Sequence, residues 1–246
     1  MARNPVDIKV GYDYLRFKFG RGTMGTDRRL IWSGAAAGGF KGILSTAAKV
    51  QVASSSADDA VGQGGAVSIV LLGIGADGKR LTEVIDLDGT TPVESNGSFL
   101  VIPRAYVYDS EDQSEVTGPN HGAINIYQTG VAANILNQIP AVEGQSYLCY
   151  DRIPIDQCAK LVHVRFMPAS ISTSVFTGTL FIRGNTGRGN AWNGGLSVDV
   201  QNTPVSIERH DLPEFLGPGC EIMLLGKVSA GTPNCSANFE MEFEDL

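Results

Sequence analysis

Three glycines, Gly73, Gly75 and Gly78, stand in G-x-G-x-x-G spacing directly after the apolar run of VSIVLLGIGADGKRLTEVIDLDG, residues 67–89. In a dinucleotide site that spacing lets the backbone approach a pyrophosphate, with a helix N-terminus facing the phosphate. Here only nine residues, Lys79 to Leu87, separate Gly78 from the Asp88-Gly89 breaker. A crossover helix between parallel strands needs a dozen or more. The β-branched Thr82, Val84 and Ile85 suit a strand. The stretch therefore predicts antiparallel strands over 67–74 and 80–87, with Asp77 and Gly78 in the connection. Asp86-Leu87-Asp88-Gly89 also fails as a calcium loop, because the first ligand position falls on Val84.

The remaining chemistry-bearing residues are scattered. His121, His163 and His210 stand alone, and no H-x-H, H-E-x-x-H or G-x-S-x-G pattern occurs. This argues for no catalytic set, no bound metal and no cofactor. Asp109-Ser110-Glu111-Asp112 offers carboxylates for calcium or for one half of a glycosidase pair, and equally reads as a solvated acidic loop. Trp192, among the glycines and asparagines of RGNTGRGNAWNGG, is placed to stack on a sugar, anchor a protein partner or fold back on the body. Cys149, Cys158, Cys220 and Cys235 lack C-x-x-C pairing, so free thiols are expected.

The elements that would position these residues are strands. Short apolar or alternating runs recur between turn residues, among them SFLVIPRAYVY, GAINIYQ, KLVHVRFM, SVFTGTLFIR, CEIMLLGKV and ANFEMEFEDL. One short segment, Val131 to Gln138 between Gly130 and Pro140, has room for two helical turns. The expected fold is all-β: an antiparallel β-sandwich, jelly-roll or Greek-key type, with an extended N-terminal arm.

Charge sets the arm apart. The 246 residues carry a net charge of −7, which argues against nucleic acid as a partner. The first 30 residues hold seven cations against three carboxylates, giving that segment +4 and the remainder −11. Residues 1–40 accordingly read as a basic arm and hinge, ending in SGAAAGGFKG, and residues 41–246 as the body, either one sandwich or two packed β subdomains. Such an arm is expected to lie on an acidic neighbouring subunit through Arg16, Lys18, Arg21, Arg28 or Arg29. No apolar run is long enough to span a bilayer, and the start lacks a secretory apolar region, so folding in a cytoplasm without a membrane partner is expected.

GADGKRLTEVIDLDGTTPVESNGSFLVIPRAYVY, followed by GAINIYQTG and closing with CSANFEMEFEDL, resembles the β-rich structural proteins of tailed bacteriophages. The resemblance is carried by residues 65–130: a strand, a D-G hairpin, a T-E-x-I-x-L-x-G strand, a T-P-V turn and a second long strand. It implies a virion component without enzymatic activity, assembled in the host cytoplasm as a homo-oligomer such as a trimer, in contact with other virion proteins. An external head decoration or cement subunit is the expected role. A tail-fibre or carbohydrate-binding module using Trp192 is the alternative, and a glycan hydrolase comes third.

Overall fold

The computed structural model describes residues 8–10, 13–32, 44–111, 118–168, 175–184, 193–201, 207–209 and 214–246. Among them every regular element is a strand, and no helix is long and apolar enough to cross a membrane. Three strands come first: β1 (Ile8–Val10), β2 (Asp13–Thr23) and β3 (Arg29–Leu30). Then follow β4 (Val50–Ser54), β5 (Ala66–Gly75), β6 (Arg80–Asp86), β7 (Val93–Glu94), β8 (Phe99–Ser110), β9 (Ile124–Gln128) and β10 (Val131–Ile139). The chain closes with β11 (Tyr150–Arg152), β12 (Gln157–Pro168), β13 (Val175–Arg183), β14 (Asn193–Gln201), β15 (Ile207–Arg209), β16 (Glu214–Leu216), β17 (Glu221–Val228) and β18 (Asn234–Asp245). All ladders are antiparallel. The chain divides into two compact units, one holding residues 44–147 and the other holding 8–32 with 148–246.

In the first unit, sheets β6-β5-β8 and β10-β9-β4-β7 contribute to one core. Ile69, Leu71, Phe99, Ile102 and Ala105 come from the three-stranded sheet and Val50, Val52, Ile124, Ile126 and Leu136 from the four-stranded one. The β5–β6 hairpin predicted from the glycine motif is present, with register from Ser68↔Asp86 to Ile74↔Arg80. Its glycines serve packing and turning. A Cβ on Gly73 would meet Val101 O at 2.5 Å and the Phe99 ring at 2.6 Å, so this position lets β5 press against β8. Gly78 has φ of +77°, the left-handed geometry the turn requires. The segment with room for two helical turns, 131–138, is strand, in line with the all-β reading: it is β10, joined to β9 through the Thr129-Gly130 turn. Gly130 takes φ of +76°, and β10 pairs back on β9 with Ile139↔Ile124 and Gln138↔Asn125 in register. Two turns of helix would gain little alone, whereas pairing with β9 engages Val131, Ile135 and the continuous run Asn137–Ile139.

The second unit has one sheet ordered β1-β2-β18-β12-β15, with β16 also on β12, and another ordered β11-β17-β13-β14, with β3 on β17. Leu161, Phe166, Phe239, Met241 and Phe243 from the first sheet join Phe176, Leu180, Ile222 and Leu224 from the second in one core. The Phe166 and Phe176 rings pack with centroids 6.1 Å apart and a tilt of 55°. Here the expectation of a detached arm is corrected for Asp13–Leu30. β2 runs along β18 from Tyr14↔Phe243 to Thr23↔Asn234, and Leu30 pairs with Leu225. An alternating segment beside an alternating terminal strand fills ladder hydrogen bonds within its own chain. The hinge at 33–42 lies outside the described residues.

Candidate functional site

Three strand ends of the second unit meet at Glu221. It is the first residue of β17, opposite Arg152 on β11 and opposite Arg183 on β13. Directly opposed residues share a sheet face, so both guanidinium groups are delivered to one carboxylate. Arg183 Nε donates to Glu221 Oε2 at 2.6 Å, its Nη2 also pairs with Oε2, and Arg152 Nη1 lies 3.7 Å from Oε1. Glu221 is 4% exposed, and burial pushes its carboxyl above the usual range against the pull of Arg183 and then Arg152. Burial likewise raises the Tyr150 phenol, with Glu221 adding to the effect. Arg183 and Glu221, with Gly184 and Gly219, line a cleft of about 270 Å³.

In the first unit, buried polar side chains bind loops together. Asp59, fully buried, accepts Ala66 N–H at 3.0 Å and His121 N–H at 2.8 Å through Oδ1, and Gly122 N–H at 2.9 Å through Oδ2, where the Ser54 hydroxyl also donates. Asn120, also fully buried, donates to Gly122 O at 2.7 Å and Pro140 O at 2.8 Å and accepts Gly144 N–H at 2.9 Å. Loops 55–65, 118–123 and 140–144 are thus fixed by two side chains. Glu111 caps Gly62 and Gly64 amides at 2.6 and 2.9 Å, and Glu83 does the same for Asn96 and Gly97 at 2.6 and 2.9 Å.

This places the acidic stretch 109–112. Both Glu111 oxygens hold the 62–64 loop, Asp109 is exposed, and Asp112 lies outside the described residues. Among the described residues no cluster of three or more His, Cys, Asp or Glu side chains suits a metal ion. His121 Nδ1 lies 3.5 Å from Asp58 Oδ2, His163 stands opposite Glu240 in β12, and His210 lies outside the described residues.

The basic residues proposed for partner contacts fall into different settings. Lys18 is 4% exposed and turned inward, 3.8 Å from the buried carboxylate of Asp151. Arg28 lies over the Phe181 ring at 5.3 Å. Arg21 and Arg29 are exposed strand residues, opposite Ser236 and Gly226. Arg16 sits opposite Met241 in the β2–β18 ladder, and its side chain lies outside what is described; so does Trp192. The Arg152–Glu221–Arg183 set was not foreseen, since only strand register brings residues so distant in sequence together. Asp59 was missed because SSSADDA has the composition of a solvated loop.

No family model matches the chain, and no curated protein matches it. Among solved structures, it is similar to the structure of infectious bursal disease virus Gt strain at 10% identity, covering 96% of this chain and 73% of that one with a TM-score of 0.20. The Gx strain structure gives 9% identity, coverage of 96% and 72%, and a TM-score of 0.21. The crystal structure of the VP2 subviral particle of the same virus gives 10%, 93% and 71%, and 0.18. TM-scores near 0.2 do not establish a common fold.

Proposed function

We propose that the chain is a non-enzymatic structural component of a tailed-phage virion, an external head decoration or cement protein that stabilises the particle through subunit contacts. The observation that carries this reading is how the buried polar groups are used. Asp59 alone accepts hydrogen bonds from three separate segments of the first unit. Fully satisfied buried networks make loops rigid, and rigid loops are what a subunit needs to present the same surface at every position of a shell. The sequence resemblance over 65–130 supports the same reading. In keeping with it, antiparallel sheets share one core within each unit; we read them as sandwiches of the jelly-roll or Greek-key kind, with homo-oligomeric contacts supplying the rest of the particle's stability.

The reading is tested by adding the purified chain to particles that lack it. Saturable, stoichiometric binding that raises the temperature of particle rupture is expected. Failure to bind particles, combined with specific retention on a glycan array, would instead identify a carbohydrate-recognition module.

A further inference from the structure

The outer edge of β6 carries a pattern that complements itself. Leu87 N–H donates to Val67 O at 2.8 Å just beyond one end of the strand, and Gly75 N–H donates to Lys79 O at 2.9 Å just before the other. These two bonds fix the phase. Backbone groups of the odd-numbered residues face β5, so those of Arg80, Thr82, Val84 and Asp86 face outward, because successive residues of a strand point their N–H and C=O to opposite sides. Among the described residues β6 pairs with β5 alone. All four of these residues are exposed, Val84 at 49%.

We infer that β6 is a contact between two copies of this chain, which join edge to edge as antiparallel strands about a two-fold axis at Glu83. That register sets Arg80 against Asp86 of the second copy at both ends and Thr82 against Val84 between them, all as hydrogen-bonded pairs. The two three-stranded sheets become one of six strands. Shifting the axis to Thr82 or Val84 would keep the hydrogen bonds and break both charge pairs, so the charges select one register. Charged residues on an edge usually discourage pairing; here opposite signs sit where a two-fold axis exchanges them. Leu81 and Ile85 oppose each other on the inner face. The one like-charged pair is Glu83 with its own copy, and each of those carboxylates already accepts two backbone amides of its own loop.

A single strand pair buries less than a stable isolated dimer needs. The contact is therefore weak in solution and becomes strong when several are made at once in an assembly. It does not depend on the virion reading, since a chain absent from particles could still pair this way.

Sedimentation equilibrium over a wide concentration range tests it. The wild type should show reversible self-association. Val84→Pro removes an outward N–H that β5 does not use, and should abolish association with an unchanged circular dichroism spectrum. Arg80→Asp sets carboxylates against carboxylates at both ends and should weaken association about tenfold or more. Adding Asp86→Arg to that variant restores opposite signs and should restore it, a recovery that does not rely on the proline variant folding. A wild type monomeric at every concentration, or association indifferent to the charge swaps, would overturn the inference.

Discussion

Asp59, Glu83, Glu111 and Glu221 each engage both carboxylate oxygens within the chain, the first three on backbone amides and the last on two guanidinium groups. For Glu221, acidity is tied to folding. The folded-state pKa of Glu221 is raised, so the stability it contributes is fully present below the unfolded carboxylate range, about pH 4, and is lost as pH rises through the folded value. Thermal melts should therefore show wild type losing ground to Glu221→Gln as pH rises from about 4 toward neutrality. A wild type that gains on the variant over that window would place the pKa shift in the opposite direction. The thiols give a second residue-scale outcome. Burial raises Cys149 strongly, pushes Cys235 up to about 12, and raises Cys158 less, while Cys149, Cys220 and Cys235 are buried. Iodoacetamide on the native protein should label Cys158 first, and mass spectrometry should find the other three modified only after unfolding.

Local turn chemistry made the β5–β6 hairpin legible at the scale of elements. A nine-residue limit, β-branched residues and a glycine able to take positive φ all pointed the same way, and the register confirms it. What stayed hidden was the reason for Gly73, because its need for bare backbone comes from Phe99 and Val101 on β8, more than twenty residues away. Gly73→Ala should cost about 1–3 kcal/mol of stability by overpacking, measured by urea unfolding, whereas an unchanged midpoint would show that β5 and β8 can separate freely. β10 is locally ambiguous for a related cause. Ala132, Ala133, Ile135 and Leu136 between Gly130 and Pro140 fit a short helix locally, and only pairing with β9 decides for strand. The same holds for β2. Its basic charge suggested an arm, yet Lys18 points to the buried Asp151 while Phe19 is half-buried, a pattern that β18 and β11 impose and no local signal reveals.

On the scale of the whole molecule, composition and turn spacing revealed the antiparallel all-β class, while the division into two units depended on a chain path that returns its N-terminal strands to the C-terminal half. That path is set by long-range pairing such as Asn234↔Thr23, for which the sequence carries no spacing rule. A structural virion protein is defined at this scale, by how many copies a particle holds. Quantitative mass spectrometry of purified particles, calibrated with isotope-labelled peptides, measures that number directly. A high, fixed copy number in simple proportion to the major shell protein is expected; a chain absent from purified particles, or present in only a few irregular copies, would contradict a cement or decoration role.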